Sequence, residues 1–207
     1  LEVIVNSGGD NRTTYAFSGE NGSILWTYYI GGWPSKGSPV LADVNGDGKI
    51  EVVFGNGGPN FNKLFMLAGE NGSVLWTSPE PGNSICGFAV ADIDNDGKLE
   101  MVCGINSGGA WESVYTYNGE DGSSLWNVTI PGDVHTIAIG DVDNDGKLEI
   151  IASCSDNKVY ALNGEDGSQL WSYDTGDTNM PSPAIGDINN DGTVSYTHLT
   201  LPTTERV

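Results

Sequence analysis

The residues of this sequence that are best suited to chemistry are carboxylates and amides that alternate along short loops. Three loops share the pattern D-x-[DN]-x-D-G-x-x-E, and a fourth begins in the same way. Their oxygen-bearing side chains are Asp43, Asn45, Asp47 and Glu51 in the first loop, Asp92, Asp94, Asp96 and Glu100 in the second, Asp141, Asp143, Asp145 and Glu149 in the third, and Asp187, Asn189 and Asp191 in the partial fourth. Oxygen ligands at positions 1, 3 and 5, with glycine at position 6, are typical of a loop that binds Ca²⁺. The main-chain carbonyl at position 7, which belongs to Lys49, Lys98 or Lys147, would join the set.

The types of ligand discriminate between metals. An all-oxygen set suits Ca²⁺, whereas Mg²⁺ requires a tighter octahedron and retains water, and Zn²⁺ favours histidine or cysteine. In an EF-hand, the glutamate is the last ligand of a longer loop between two helices. Here the glutamate is at position 9 and begins a predicted strand. The sequence therefore predicts three complete calcium sites and one partial site, each in a β-hairpin. The alternative is a set of acidic turns that hold no metal.

The charge balance agrees with cation binding. The 207 residues include 28 Asp and Glu against 8 Lys and Arg, which gives a net charge of -20. Acids gathered at ligand positions repel one another strongly unless a cation lies among them. The same excess of acid leaves no basic surface for a phosphate backbone, so we expect no nucleic-acid partner. No apolar run approaches the roughly 18 to 20 residues of a transmembrane helix.

The elements that must position these loops are revealed by an internal repeat. Four similar phrases end in tryptophan, and the acidic loops recur between them. The phrases are AFSGENGSILW, MLAGENGSVLW, TYNGEDGSSLW and ALNGEDGSQLW, which close at Trp26, Trp76, Trp126 and Trp171. A period of about 49 residues is in the range of propeller blades with four strands.

The fold class is therefore predicted to be all-β, a β-propeller fragment of about four four-stranded antiparallel blades. The last copies of the repeat divide into strands near residues 149–153, 158–162 and 168–173, with an inner strand of the kind seen at 183–187. Each recurring tryptophan is expected to fill the gap between neighbouring blades. Trp76 and Trp126 should be buried there, while Trp33 and Trp111 fall outside the phrase and are candidates for an exposed loop.

The two ends of the sequence depart from the repeat. Leu1-Glu2-Val3-Ile4 matches Leu148-Glu149-Ile150-Ile151, so we expect the chain to open inside a repeat. Residues 194–203, VSYTHLTLPT, match the translation of a transposase-based sequencing adapter. We therefore expect a partial propeller over 1–193, truncated at both ends, a non-native tail over 194–207, and a parent reading frame assembled from environmental DNA.

Signatures of catalysis are scarce, and we expect this chain not to be an enzyme. His135 precedes an apolar strand, with no serine or cysteine motif directed to it. Cys86, Cys103 and Cys154 read as core residues, with a Cys86 to Cys103 bridge as an open alternative. Glycosylation sequons at Asn11, Asn21, Asn71 and Asn127 agree with an extracellular setting.

The two phrases together resemble known repeat families over nearly all of residues 1–193. The phrase from Ala161 to Trp171 is similar to the tryptophan-docking motif of pyrroloquinoline-quinone (PQQ)-type propellers, and the acidic loops resemble those of FG-GAP/VCBS repeats. Met66 and Thr116 depart from the alanine of the docking phrase. The resemblance implies part of a larger ring that is stabilised by Ca²⁺ and located outside the cell, at its surface or in the periplasm.

The function implied by this resemblance is a module that binds a protein or carbohydrate ligand within a larger surface or secreted protein. One alternative is a fragment of a quinone-dependent dehydrogenase or of a polysaccharide lyase. Another is a propeller scaffold of the kind used in outer-membrane protein assembly.

Overall fold

All regular secondary structure among the residues that the structure describes is β-strand. The structure is a computed structural model, and it describes residues 1–8, 10–34, 38–57, 63–78, 85–105, 113–176 and 182–187. The strands are β1 (Glu2–Ser7), β2 (Thr13–Ser18), β3 (Ile24–Tyr29), β4 (Trp33–Pro34), β5 (Val40–Ala42), β6 (Glu51–Gly57), β7 (Leu64–Ala68), β8 (Val74–Thr77), β9 (Ile85–Ala91), β10 (Glu100–Ile105), β11 (Ser113–Asn118), β12 (Ser124–Thr129), β13 (Val134–Gly140), β14 (Glu149–Cys154), β15 (Lys158–Asn163) and β16 (Gln169–Asp174). No helix that could cross a membrane occurs among these residues.

The strands form four antiparallel sheets, which are the blades of a propeller. Blade 1 is β1-β2-β3, blade 3 is β9 to β12 and blade 4 is β13 to β16, each with neighbours in chain order. In blade 2 the inner strand is in two parts, since β4 and β5 both pair with β6, which is followed by β7 and β8. The prediction of an all-β propeller fragment of about four blades is confirmed.

One predicted strand is wrong. Residues 182–187 are described, but they form no strand. A strand needs a neighbour that takes up its main-chain N–H and C=O groups, and none of the described strands pairs with this segment. In blade 1, β1 pairs with β2 alone among the described strands, and the sheet has three strands.

The hydrophobic core lies between blades. One buried cluster joins blades 1 and 2 and includes Ala16 and Phe54, a second joins blades 2 and 3 and includes Met66, and a third joins blades 3 and 4. The second strands of blades 2, 3 and 4 are buried along their whole length, since both faces of these sheets are covered. Such strands are read as continuous apolar runs, which explains the VVF, MVC and IIA segments of the sequence.

The recurring tryptophans attach each outer strand to the next blade. The indole N–H donates to a carbonyl in the β-hairpin turn of the following blade, from Trp26 to Gly69, from Trp76 to Gly119 and from Trp126 to Gly164, at 2.8 Å in each case. The ring lies over the last glycine of the same turn, where a Cβ on Gly72, Gly122 or Gly167 would stand 2.6 Å from the ring carbon Cε3. These glycines also have φ of 71–72°, so both their backbone conformation and the ring above them exclude a side chain.

The interblade position predicted for Trp76 and Trp126 is confirmed by these contacts, although both side chains are half-buried and only Trp26 is buried. Trp171 occupies the same place in blade 4 but is 44% exposed, because no described blade follows it. Trp33 is 57% exposed, as predicted, but it lies in strand β4 and not in a loop. Trp111 lies outside the described residues.

The cysteines take part in packing. All three are buried and unbridged, so the alternative of a Cys86 to Cys103 bridge is wrong. Burial raises the pKa of the Cys103 thiol to about 12, which keeps it protonated and unreactive. His135 is half-buried near the start of β13.

We predict that Trp126→Ala lowers the free energy of unfolding by about 3 kcal/mol, because it removes a large apolar contact and leaves a cavity between blades 3 and 4. Denaturant unfolding followed by circular dichroism measures this change. Trp33→Ala is the matched control and should change stability by less than about 0.5 kcal/mol. Equal losses for the two variants would contradict the packing role of the docked indole.

Candidate metal centres

Each complete acidic loop connects the inner strand of a blade to its second strand. The three loops are residues 43–50, 92–99 and 141–148. The chain is left-handed at positions 4 and 6 in all three, with φ between 64° and 88° at Gly46 and Gly48, Asn95 and Gly97, and Asn144 and Gly146. Glycine and asparagine are the residues that tolerate this conformation most easily. Because of these left-handed residues the main chain curves, and the side chains at positions 1, 3 and 5 lie on the inside of the curve.

The acidic side chains are directed inwards by hydrogen bonds from the main chain of their own loop. At position 1, the Oδ2 atoms of Asp43, Asp92 and Asp141 accept the N–H of the glycine at position 6 over 2.9, 3.0 and 3.1 Å. At position 3, the Oδ1 atoms of Asn45, Asp94 and Asp143 accept the N–H of residue 5 over 2.9, 3.2 and 3.2 Å. At position 5, the Oδ1 atoms of Asp47, Asp96 and Asp145 accept the N–H of residue 7 over 2.9, 2.9 and 2.8 Å.

These bonds leave buried carboxylate oxygens without a partner. The Oδ1 atoms of Asp43 and Asp141 are buried and accept no hydrogen bond. A buried, unpartnered carboxylate oxygen is costly unless a cation compensates it. The same atom of Asp92 accepts the N–H of Asp96 over 3.1 Å.

The oxygens are close enough to share one ion. Ligand atoms of Asp92, Asp94 and Asp96 all lie within 4.8 Å of one another, and so do those of Asp141, Asp143 and Glu149. Two oxygens bound to the same Ca²⁺ at about 2.3–2.6 Å are at most about 5 Å apart. The second and third loops therefore fit a calcium ion both in donor type and in spacing.

The glutamate at position 9 is buried and caps the main chain at the start of each loop. Glu51, Glu100 and Glu149 are each 1% exposed. Their Oε2 atoms accept the main-chain N–H at position 2, from Val44, Ile93 and Val142, over 2.8, 2.9 and 2.7 Å. Burial raises the pKa of all three carboxyls, and the neighbouring aspartates raise it further. The pKa of Glu100 rises to about 7. A cation among the aspartates would lower the pKa of the glutamate, offset the effects of burial and repulsion, and keep the carboxyl ionised.

The lysine at position 7 uses its side chain elsewhere. The ammonium groups of Lys49, Lys98 and Lys147 pair with Glu70, Glu120 and Glu165 in the β-hairpin turn of the same blade. These pairs are exposed and therefore contribute little stability. The prediction that the lysines would serve through their main-chain carbonyls is compatible with this arrangement, because the charged ends are directed away from the acidic cluster.

The loops also contact the interblade junctions. Val44 and Ile93, at position 2, pack on Gly119 and Gly164, which are the turn glycines of the following blade. The N–H of each turn glycine donates to the carbonyl at position 8 of the acidic loop in its own blade, from Gly69 to Ile50, Gly119 to Leu99 and Gly164 to Leu148, over 3.0, 3.1 and 3.0 Å. One glycine therefore joins two blades and an acidic loop.

The structure brings together Asp92, Asp94 and Asp96 in the second loop and Asp141, Asp143 and Glu149 in the third. In the first loop the side chains at positions 1, 3 and 5 accept the same main-chain hydrogen bonds as their counterparts. In the fourth, Asp187 is described, whereas Asn189 and Asp191 lie outside the described residues. The sequence patterns did not reveal that the glutamate caps the main chain at position 2, nor that position 2 packs on the next blade. The residue between positions 1 and 3 is apolar in every complete loop, and this pattern could have indicated a packing role for position 2. These residues are Val44, Ile93 and Val142.

The fold and the loops define a repeat propeller, and comparison with known proteins identifies its family. The chain belongs to the FG-GAP-like repeat family, which matches residues 43–103, 92–152 and 141–195. A comparison with curated protein sequences gave no match.

Solved structures with the same fold are distant in sequence. Quinohemoprotein alcohol dehydrogenase from Comamonas testosteroni is 14% identical, with a TM-score of 0.66, over 93% of this chain and 37% of that protein. BamB from Moraxella catarrhalis is 17% identical, with a TM-score of 0.56, over 84% of this chain and 47% of BamB. The computationally designed Ika8 protein is 15% identical, with a TM-score of 0.64, over 92% of this chain and 54% of Ika8. The chain thus spans about half or less of the length of these proteins, and the likeness establishes the propeller fold.

We predict opposite effects of Glu100→Gln with and without Ca²⁺. In chelator and slightly alkaline buffer the variant should melt at a higher temperature than the native chain, because glutamine still accepts the Ile93 N–H but removes a buried charge that repels three aspartates. With Ca²⁺ present, the loop of the variant should bind the ion about tenfold more weakly than the native loop, since a negative charge beside the ion is lost. Differential scanning calorimetry and calcium titration measure the two effects.

Glu120→Gln is the control for that experiment, because Glu120 is exposed and pairs with Lys98 at the surface. It should change neither quantity appreciably. A loss of stability in Glu100→Gln in chelator would contradict the account of repulsion within the loop.

Proposed function

We propose that this chain is part of an extracellular or surface-exposed propeller that is stabilised by Ca²⁺ and binds a protein or carbohydrate ligand. The single observation that carries the metal part is the unpartnered, buried oxygen of Asp43 and Asp141 inside loops of calcium-binding pattern. Bound Ca²⁺ would supply positive charge and coordination to these oxygens. The chain's own residues orient the oxygens through the main-chain hydrogen bonds of each loop.

The metal sites are proposed to stabilise the fold, because they lie beside the interblade junctions. Ile93 is fixed by the Glu100 bond at its N–H and packs on Gly164 of the next blade. An ion that draws the loop oxygens together would hold the main chain of the loop in the shape that makes this contact. Loss of the ion would release the repulsion of the aspartates at the same place.

The ligand-binding part rests on the difference between the two faces of the propeller. The acidic loops and the tryptophan-docking turns share one face, and each kind of connection keeps a constant length: 43–50, 92–99 and 141–148 for the loops, and 19–23, 69–73, 119–123 and 164–168 for the turns. At the opposite ends of the strands, which form the second face, the number of residues between strands varies, from five between β1 and β2 to three between β14 and β15. Trp33 is exposed at this second face, where β4 pairs with the far end of β6. Variable loops on a constant scaffold are the usual location of binding residues.

The location outside the cell is proposed on the same metal chemistry. Calcium loops of low or moderate affinity are filled in extracellular modules, where Ca²⁺ is abundant. The strongly acidic composition, with a net charge of -20, also keeps a protein of this kind soluble in that setting.

We predict that Ca²⁺ raises the melting temperature relative to chelator by about 10 °C or more. Each site that is occupied at a hundredfold excess over its dissociation constant adds about 2.7 kcal/mol to stability, and a domain of this size gains a few degrees per kcal/mol. Calorimetry in Ca²⁺, Mg²⁺ and chelator measures the effect, and Mg²⁺ should give a smaller shift. An equal melting temperature in Ca²⁺ and chelator would contradict the metal assignment.

We predict that ligand binding maps to the face opposite the acidic loops. A glycan array and a set of extracellular-matrix proteins, probed with the labelled chain in Ca²⁺, should yield a signal that Trp33→Ala abolishes and Glu120→Gln preserves. A signal with the reverse dependence would place the binding site on the acidic face and contradict this assignment. Dye reduction with alcohols in the presence of quinone, or cleavage of acidic polysaccharides, would instead favour the enzyme alternative.

A further inference from the structure

The first acidic loop differs from the other two at positions 3 and 4. Position 3 is Asn45 in this loop, whereas it is aspartate in the second and third loops. Position 4 is Gly46, whereas the other loops carry asparagine there. The first loop therefore has one carboxylate fewer, and its asparagine is followed directly by glycine. In an Asn-Gly pair the main-chain nitrogen of the glycine can attack the asparagine side chain, because glycine has no side chain that obstructs the approach.

Five of the six Asn-Gly pairs in the sequence are protected from this attack by the fold. The asparagines of the six pairs are Asn21, Asn45, Asn56, Asn71, Asn118 and Asn163. The attack requires that the glycine N–H is free to lose its proton. In four pairs it donates instead to a main-chain carbonyl, from Gly22 to Ser18, Gly72 to Ala68, Gly119 to Leu99 and Gly164 to Leu148, over 2.8, 2.8, 3.1 and 3.0 Å. In a fifth pair, Asn56 is 2% exposed, and hydrogen bonds hold both polar atoms of its side chain.

The pair of Asn45 and Gly46 lacks this protection. No hydrogen bond engages the Gly46 N–H within the described part of the chain. Gly46 is exposed and has φ of 73°, and a Cβ on it would meet no atom within 4 Å, so the loop is open on this side. The Oδ1 atom of Asn45 accepts the N–H of Asp47 over 2.9 Å, whereas its Nδ2 group donates to no described residue.

The hydrogen bond from Asp47 also favours the reaction. When the Gly46 nitrogen has given its proton to solvent hydroxide and bonds to Cγ of Asn45, negative charge develops on Oδ1, and a donor already directed at that atom stabilises the charge. The Cγ–Nδ2 bond then breaks, and Nδ2 takes a proton from water and leaves as ammonia, so that a cyclic imide remains. Water opens the new bond between Cγ and the Gly46 nitrogen. The main chain is thereby restored, and position 45 carries an aspartate.

We propose that Asn45 is a site of spontaneous deamidation, and that the aspartate it becomes completes the first acidic loop. The loop accepts an aspartate at this position, because the Oδ1 atoms of Asp94 and Asp143 accept the same main-chain N–H, that of residue 5, as Asn45 does. The new carboxylate joins a loop in which the buried Oδ1 of Asp43 has no partner. The added negative charge raises the affinity of the loop for Ca²⁺. This gain in affinity rests on the proposed function of the loops, whereas the deamidation does not.

Peptide mapping by mass spectrometry tests the modification. The full chain is incubated in chelator at slightly alkaline pH, below its melting temperature and separately in denaturant, and the deamidated fraction is measured at each Asn-Gly pair. In the folded chain Asn45 should react at least about fivefold faster than the others, because four of them must first break a main-chain hydrogen bond and Asn56 is buried. In denaturant the rates should become similar. Another Asn-Gly pair that reacts as fast as Asn45 in the folded chain would overturn the proposal.

Gly46→Asn is the matched variant for this experiment. The second and third loops carry Asn95 and Asn144 at the same position, with φ of 65° and 64°, so the substitution keeps the left-handed conformation. It removes the Asn-Gly pair and should suppress deamidation at position 45, while the rates at the other pairs stay the same. An unchanged rate at position 45 in this variant would contradict the role of the Gly46 nitrogen.

Asn45→Asp tests the consequence for the metal site. The NMR signals of Gly48, Gly97 and Gly146, at position 6 of the three loops, report each loop separately during a calcium titration. The first loop of the variant should bind Ca²⁺ about tenfold more tightly than that of the native chain, and the other two loops should keep their affinities. Aged native chain in which mapping finds aspartate at position 45 should behave as the variant does.

Two results would overturn the proposal at this step. One is isoaspartate, formed when water opens the imide at the main-chain carbonyl, as the only product at position 45. The other is an unchanged calcium affinity of the first loop in Asn45→Asp while the second and third loops bind Ca²⁺. Absence of Ca²⁺ binding in all three loops would contradict the proposed function, and with it the gain in affinity, whereas the result of the mapping would stand.

Discussion

The whole arrangement of blades depends on a glycine turn that must be both left-handed and bare. Gly72, Gly122 and Gly167 adopt a φ that disfavours other residues, and the indole of the preceding blade lies where their side chains would be. The hydrogen bond from each indole to a carbonyl of the same turn fixes the ring in one orientation. Because every junction repeats this contact, the angle between blades is set by the same local geometry each time. The interblade clusters then pack around that geometry.

The acidic loops are coupled to this contact through a single residue. Gly119 accepts the Trp76 indole, contacts Val44 in the loop of blade 2, and donates its N–H to Leu99 in the loop of blade 3. A change in the shape of either loop is therefore transmitted to the junction without any intermediate side chain. This coupling is the physical reason to regard a metal in these loops as part of the scaffold. It also explains why the loops keep one length, since an inserted residue would displace the position that meets the glycine.

The repeat in the sequence predicts the blades and the docked tryptophans, but it does not predict how exposed each residue is. Trp126 and Trp171 close almost identical phrases, yet one is covered and the other is 44% exposed, because blade 4 lies beside Trp126 whereas no described blade lies beside Trp171. Residues 182–187 read as an inner strand for the same reason that β13 does, but a sequence pattern cannot supply the neighbour that a strand needs. The sequence also could not predict that Glu100 is buried and caps the main chain. The pattern predicts a metal ligand at position 9, whereas the bond of Glu100 to the Ile93 N–H depends on the fold of the loop.

The two faces of the propeller differ because they carry different constraints. On the acidic face, each loop contacts an interblade junction and a hairpin turn, and it also holds carboxylates that repel one another. A substitution in a loop therefore affects several interactions at once. The ion pairs from Lys49, Lys98 and Lys147 to the turns lie on this face and relieve part of the repulsion at its surface. At the opposite ends of the strands, the number of residues between consecutive strands is not constant. Trp33, which is 57% exposed near this end of blade 2, is not one of the docked indoles, so a substitution there leaves the repeated interblade contact unchanged.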